Sequence, residues 1–266
     1  MNESTPSDAH VLIHVEGAVG VMRFNRAATL NTLDIPMLLA MEAALSQLEA
    51  NDAVRVIVLT GADDRAFVAG GNIADLASRH GLQHYQEFGD VVARVFERIE
   101  ACPKPTVAAV NGWALGGGME LLLCTDIRLM ADDARIGLPE IKLGLFPGGG
   151  GSQRLMRQLP LCQAKRLMFL GEPVTAQEAV ALGLVNESVP RAALAGAAMA
   201  LAHKLAARAP LALKMLKSAM QVGADMPLSN ALQYERAMIS LVFDSRDAHE
   251  GCAAFLQKRP ARFEGR

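Results

Sequence analysis

Residues 105–120 read Pro105-Thr106-Val107-Ala108-Ala109-Val110-Asn111-Gly112-Trp113-Ala114-Leu115-Gly116-Gly117-Gly118-Met119-Glu120. Thr106–Val110 is a short apolar run with β-branched residues, the pattern of a strand buried on both faces. Asn111-Gly112 ends it with a turn signal. A helix is expected over 115–124, with three glycines at 116–118 where strand gives way to helix. Glycine there lets a backbone N–H approach a ligand with no Cβ in the way. At a helix N-terminus such N–H groups point outward, and the helix dipole favours negative charge beside them.

The same strand–loop–helix alternation recurs on either side. Residues 11–15 and Val19–Phe24 are β-rich runs split by Glu16-Gly17-Ala18, a hairpin signal. Asp34-Ile35-Pro36 starts a helix, and Leu38, Met41, Leu45 and Leu48 follow at helical spacing. Residues 54–60 form a buried-type strand ending at Gly61, and a helical stretch reaches Glu100. Residues 127–130 and Arg135–Gly137 are further short strands. From Ser152 onward the pattern is helical, over 152–158, 161–169, 175–182, 191–208, 210–221, 228–241 and 246–257. Only 184–189 interrupts it as a strand. The alternation predicts βα units and a mostly parallel sheet, an α/β fold. No low-complexity linker divides the chain. The reading is one α/β core over residues 1–190 and a helical C-terminal region over 191–266, in the same functional unit.

The 266 residues are 51% hydrophobic and 20% charged, enough apolar material for a sizeable core. A formal charge of -2 gives no global attraction to nucleic acid or to an anionic membrane. Cysteines stand at 102, 124, 162 and 252 with no CxxC pair, so neither a zinc knuckle nor a redox motif is present. They read as reduced, buried thiols of a cytoplasmic protein. The polar, acidic residues 1–8 have neither signal-peptide nor transit-peptide character, and no apolar stretch approaches a membrane span. His80 and His84 share i,i+4 spacing, but Gly81 weakens that helix and no acidic third ligand accompanies them, so no metal site is expected. The glycines 148–151 are followed by no Lys-Ser/Thr and make no P-loop. Ser152 lacks a histidine partner for nucleophilic catalysis.

A second glycine pair lies in Ala66-Phe67-Val68-Ala69-Gly70-Gly71-Asn72-Ile73, after another strand and loop. N–H groups from two such loops can converge on one oxygen. That is the geometry of an oxyanion hole, in which one donor is worth on the order of 3 kcal/mol of barrier. Glu120 falls in the first turn of the helix that the glycines 116–118 open. Glu140, in Ile136-Gly137-Leu138-Pro139-Glu140, follows a proline in an apolar loop. Taken singly, one is a dipole-stabilising surface carboxylate and the other a solvated loop acid. Beside the two glycine loops they become a pair of carboxylates able to share acid and base roles.

These segments resemble the enoyl-CoA hydratase/isomerase (crotonase) superfamily over nearly the whole chain. The resemblance extends to Gly144-Leu145-Phe146-Pro147-Gly148-Gly149-Gly150-Gly151-Ser152-Gln153-Arg154 and to the ending Gly251-Cys252-Ala253-Ala254-Phe255-Leu256-Gln257-Lys258-Arg259-Pro260. It implies a crotonase-like spiral of ββα units with a helical C-terminal trimerisation region, assembled as a homotrimer or a dimer of trimers. It implies reversible syn hydration of a trans-2-enoyl-CoA to a 3-hydroxyacyl-CoA, with coenzyme A bound in a bent shape as part of the substrate and no other cofactor. The oxyanion-hole donors fall on Gly71 and Gly117, the catalytic acids on Glu120 and Glu140, and the residue that positions water on Gly148. Ala69, Asn72 and Ile73 fall in the substrate-binding loop. Residues 75–100 line the acyl pocket, with Tyr85, Phe88 and Met119 as contacts.

The chain also departs from the pattern. Many hydratases carry lysines near the CoA phosphates where this sequence has Ala28 and Ala74. Arg26 and Arg65 stand nearby as substitutes, and Asn72 replaces a frequent aspartate. Lys258, Arg259, Arg262 and Arg266 form a basic tail, with Glu264 the one acid among them, that is a candidate for CoA phosphates. Two other readings exist within the fold. An isomerase manages with one carboxylate, whereas this chain has both. A non-catalytic RNA-binding relative would carry a basic stripe, which the charge of -2 disfavours.

Overall fold

The computed structural model describes residues 9–266, so the acidic start read from residues 1–8 lies outside the described residues. The strands are β1 (Val11–Glu16), β2 (Val19–Phe24), β3 (Val56–Gly61), β4 (Ala66–Val68), β5 (Thr106–Val110), β6 (Trp113–Leu115), β7 (Ile127–Ala131), β8 (Arg135–Gly137), β9 (Val174–Thr175) and β10 (Glu187–Val189). Among the described residues they make two sheets, in the orders β1-β2-β3-β5-β7-β10 and β4-β6-β8-β9. The first sheet is parallel from β2 to β10, with β1 added antiparallel through the turn at Gly17. In the second, β9 is the antiparallel member.

The helices are α1 (Ile35–Ala50), α2 (Ile73–Ala77), α3 (Gly81–His84), α4 (Asp90–Glu100), α5 (Gly117–Leu123), α6 (Gly151–Gln158), α7 (Leu161–Leu170), α8 (Ala176–Ala181), α9 (Arg191–Ala206), α10 (Pro210–Ala224), α11 (Leu228–Phe243) and α12 (Arg246–Leu256). A π turn over Tyr85–Gly89 joins α3 to α4, and a 3-10 turn covers Pro139–Leu143. The chain repeats one move. The strand pairs β3/β4, β5/β6 and β7/β8 each put their first strand in the large sheet and their second in the small one, and a helix follows. This is the spiral of ββα units expected from the resemblance.

Local chemistry explains the elements that position the site. Asp34 caps α1 by accepting from the Met37 N–H at 3.0 Å, with Pro36 in the first turn. Met37, Leu38, Met41, Leu45 and Leu48 bury the inner face of α1. β5 is buried at all five residues, as its unbroken apolar run requires. Asn111 ties the end of β5 to the β3–β4 connection. Its Oδ1 accepts from the Gly61 N–H at 2.9 Å, and its Nδ2 donates to the carbonyls of Asp63 and Ala66.

Three differences from the sequence reading have physical causes. Leu115 belongs to β6, not to the helix, because β6 pairs with β4 and β8; the helix waits until Gly117. Strands of two or three residues, such as β4, β6 and β9, are too short to display an alternating pattern, so no periodicity marks the second sheet. Cys102 and Cys124 are buried, but Cys162 and Cys252 are exposed, because each falls on the outer side of an amphipathic helix. All four are free.

Helix α9 packs across β2, β3, β5 and β7 through Leu194, Ala198, Ala202 and Ala206, a stripe with a period of four. The α/β body therefore extends through Ala206. Beyond it α10 and α11 pair, and α10–α12 expose Leu216, Met220, Leu228, Ile239, Phe243 and Phe255. No helix among the described residues is long and apolar enough to cross a membrane.

Candidate active site

The glycine loop at the start of α5 is fixed from two sides. The Gly116 N–H donates to Gly137 O at 2.9 Å, which fastens the helix start to the end of β8. Gly116 itself has φ 51, and Gly117 is the first helical residue, whose N–H needs no intrahelical acceptor. The second glycine loop is pinned to residues 30–33. Ala69 N donates to Leu30 O at 3.0 Å, Leu33 N to Gly70 O at 2.8 Å, and Asn72 N to Leu33 O at 2.8 Å. This ladder uses Gly70 and Asn72 and leaves the Gly71 N–H outside it. Buried Asn31 holds the same segment, donating from Nδ2 to the carbonyls of Ala66 and Phe67 at 3.0 Å each.

The two loops meet. A Cβ on Gly117 would stand 3.9 Å from the Gly71 nitrogen and 4.0 Å from Glu120 Oε2. A Cβ on Gly116 would stand 3.2 Å from Glu140 Oε1. Gly71, Gly117, Glu120, Glu140 and Gly148 all line one cavity of about 530 Å³. Ala69, Asn72 and Ile73 form part of its wall, and Leu33, Leu76, Phe88, Val92, Leu143, Leu145 and Phe146 make another part apolar. Asn72 also caps α2, its Oδ1 accepting from Ala74 N at 3.1 Å and Asp75 N at 3.3 Å.

Neither carboxylate is the solvated acid that each would be if taken singly. Glu120 is 4% exposed. Burial pushes its carboxyl above the usual range; the Gly151 and Gly149 amides and the Arg154 charge pull it back. The Gly151 N–H donates to Glu120 Oε1 at 2.8 Å. Glu140 follows Pro139 into the 3-10 turn, where its Oε2 is buried without a hydrogen-bond partner. Burial pushes the Glu140 carboxyl up to about 7; its own backbone amide opposes that and the nearby Glu120 adds to it. Two carboxyls beside two neighbouring glycine loops form an arrangement suited to proton transfer.

The other residues singled out from the sequence are placed as follows. Arg26 Nη1 binds Asp34 Oδ1 at 2.6 Å, and Arg65 binds Asp63 at 2.9 Å and Ala27 O at 2.5 Å. Lys258 is exposed just beyond α12. None of these three lines the cavity. Phe88 does, but Met119 is 1% exposed in the core. Consecutive helical residues are about 100° apart, so Met119 turns inward where Glu120 turns to the cavity. The side chain of Tyr85 lies outside the described residues. Among the described residues no group of three or more His, Cys, Asp or Glu could hold a metal ion.

Sequence reasoning gave no role to Gly149, Gly151, Arg154 or Asn31. A signal existed for the first three: Arg154 falls one helical turn after Gly150 within a glycine run that opens a helix. Asn31 offered none beyond its place after Leu30.

The family model for enoyl-CoA hydratase/isomerase matches residues 14–266. A short-chain-enoyl-CoA hydratase of Clostridium acetobutylicum is 37% identical over 250 residues, covering 94% of this chain and 95% of that protein. A crotonyl-CoA hydratase of Syntrophomonas wolfei is 36% identical over 254 residues, covering 96% and 97%. The crystal structure of an enoyl-CoA hydratase from Bacillus anthracis superposes with a TM-score of 0.93 at 34% identity, covering 97% of this chain and 100% of that one.

Proposed function

Because the chain belongs to the enoyl-CoA hydratase/isomerase family, we propose that Glu120 and Glu140 add water, reversibly and syn, to a trans-2-enoyl-CoA held in this cavity. The chain is an enoyl-CoA hydratase, an enzyme acting on acyl-CoA thioesters. The Gly71 and Gly117 N–H groups take the thioester carbonyl oxygen and draw electron density from the β-carbon. Glu120 and Glu140 hold one water between them, with Gly148 positioning it. Glu120, as carboxylate, accepts a proton from the water as its oxygen bonds to the β-carbon. The π electrons move to the thioester as an enolate stabilised by the two N–H groups. Glu140, as acid, delivers a proton to the α-carbon, and the product is a 3-hydroxyacyl-CoA. Dehydration runs the same steps backward.

The observation that carries this reading is the approach of Gly71 N and Glu120 Oε2 to one side of Gly117, with Glu140 against Gly116. The division of labour is supported by the hydrogen bonding. Burial raises both carboxyls, Glu140 to about 7, and Glu140 Oε2 is buried with no hydrogen-bond partner to favour its anion. Glu120 accepts from a backbone amide, which favours its charged form. An isomerase would need only one of them.

The CoA portion runs past Ala69, Asn72 and Ile73 in this reading. Exposed Lys258 is the freer cation for its phosphates, while Arg26 is held by Asp34 and the more exposed Arg65 by Asp63. No cofactor beyond the substrate's own coenzyme A takes part. The exposed apolar side chains of α10–α12 support assembly as a homotrimer or a dimer of trimers. The four free cysteines fit a cytoplasmic location. The test is a panel of trans-2-enoyl-CoA thioesters of varied length and branching, followed by loss of the conjugated-thioester absorbance. Loss is expected for at least one member; none across the panel overturns the proposal.

A further inference from the structure

Glu120 does not stand alone at the cavity wall. Its carboxylate is wrapped by residues 149–151, and the fit is tight. A Cβ on Gly149 would stand 2.7 Å from Glu120 Oε2, and one on Gly151 2.8 Å from Oε1. The other side of the same turn rests on Arg154. A Cβ on Gly150, which has φ +98, would stand 2.0 Å from Arg154 Nη1. The turn is thus a single layer of glycine backbone between a carboxylate and a guanidinium.

The guanidinium is itself held. Arg154 Nη1 donates to Gly149 O at 3.1 Å, while Nε and Nη2 donate to Glu100 Oε2 at 3.0 and 2.8 Å. The side chain of Arg154 is only 15% exposed. Glu100 ends α4, Arg154 lies in α6 and Glu120 in α5, so the fork joins α4 to α6 and the 149–151 turn carries the link to α5. The Gly149 peptide has its carbonyl fixed by Arg154, while the Gly151 N–H donates to Glu120 Oε1.

We propose that Arg154 is a positioning residue for the hydration reaction: it clamps the 149–151 turn onto Glu120 and so fixes the orientation and charge of that carboxylate. The inference rests on the hydratase reading above. The charge component follows from what faces Glu120. Arg154 comes from α6, with Glu100 of α4 behind it; Glu140 comes from the 3-10 turn; His84 of α3 lines the same cavity. At the end of α5 the neighbour is Cys124, a thiol pushed up to about 12 by burial and therefore neutral. Among the described residues Arg154 is the cation that shifts Glu120, and it lowers it. It has no such effect on Glu140.

The test compares Arg154→Gln, Arg154→Lys and Glu100→Gln with the wild type on crotonyl-CoA, reading kcat, KM, the pH profile of kcat/KM and Tm. In Arg154→Gln, kcat falls by about 10–100-fold while KM changes less than about 3-fold, as expected for a misplaced catalytic group. Its acid limb, set by Glu120, moves to higher pH, and its alkaline limb, set by Glu140, stays in place. Arg154→Lys keeps the charge without the fork, so its acid limb stays near that of the wild type while kcat still falls. Glu100→Gln loosens the clamp from outside and lowers kcat by a smaller factor. An acid limb unmoved in Arg154→Gln, with kcat lost only in proportion to unfolded protein, overturns the proposal. If that variant does not fold, wild-type kcat in both Arg154→Lys and Glu100→Gln overturns it. A wild type that hydrates no enoyl-CoA would instead refute the hydratase reading, which keeps the two failures apart.

Discussion

The Gly71 nitrogen lies 3.9 Å from the point where a Cβ on Gly117 would stand, so the two glycine loops face each other across a gap the size of one ligand atom. A branched side chain at 117 would occupy that gap. Its nearest neighbour would be Leu33 Cδ1 at 2.9 Å, the end of a flexible side chain that can move aside. Gly117 also begins a helix with ordinary backbone angles, so Gly117→Val folds. Its kcat/KM for enoyl-CoA hydration falls by at least about 10²-fold, since the carbonyl oxygen can no longer reach the two N–H groups. Circular dichroism and Tm check the fold. A folded variant with wild-type kcat/KM would mean that the hole lies elsewhere.

Replacing either carboxyl by its amide separates the readings of the pair. Glu120→Gln and Glu140→Gln each lower kcat by about 10²–10⁴-fold, because glutamine cannot exchange the proton. Since both act on one water, the double variant is little worse than either single one. Binding of an unreactive acyl-CoA is reduced much less. A near-normal kcat in Glu120→Gln would remove the two-carboxylate mechanism, whatever Glu140→Gln does.

How much of this was legible follows from the range of each signal. β5 and the helices from α6 to α12 announce themselves through runs or periodicities within a single segment. The small sheet does not, because β9 has two residues and β4 and β6 three each. Gly71, Gly117, Glu120 and Glu140 stand in glycine-rich segments whose resemblance to one family is readable. What the sequence does not carry is the depth of Glu140. Pro139-Glu140-Ile141-Lys142-Leu143 mixes charged and apolar residues and reads as a solvated loop until other segments cover it. The Glu100–Arg154 ion pair spans 54 positions, so no local pattern announces it. Met119 and Glu120 differ by one residue, about 100° of helix, and face core and cavity respectively, a distinction set by the helix start at Gly117.

Chelation leaves the activity intact. Among the described residues no cluster of ligating side chains is available, and the proposed steps move protons from water to Glu120 and from Glu140 to the α-carbon without a Lewis acid. The measurement is hydration rate before and after exhaustive treatment with a chelator. Loss of activity, restored by a divalent cation, would contradict the proposed mechanism.

The pH dependence of Glu140 ties stability to rate. Its carboxyl rises from an ordinary 4.5 to about 7 in the folded protein, with burial as the main cause. Below pH 4.5 the group is protonated in both folded and unfolded chains, and its burial carries no charge penalty. Between 4.5 and about 7 the unfolded chain loses the proton while the folded one keeps it, so stability declines across that window. Above it the folded protein holds a partly buried anion, and the lower stability persists. Glu140→Gln has no charge to bury. At pH 8 it is therefore more stable than the wild type by about 1 kcal/mol after allowance for solvent screening, and the gain disappears by pH 4. In a chain of this length that corresponds to a Tm higher by roughly 2–4 °C at pH 8. The same proton governs turnover. Hydration uses the pair with one proton, held by Glu140, so its kcat/KM declines as pH rises past about 7; dehydration uses the same one-proton pair with the proton on Glu120, and because the reaction takes up no net proton its kcat/KM declines over the same interval. Thermal melts of both proteins from pH 4 to 8, with forward and reverse rates for the wild type, measure this. A Tm difference between wild type and Glu140→Gln that stays constant across the range would show that Glu140 is not the buried acid described here.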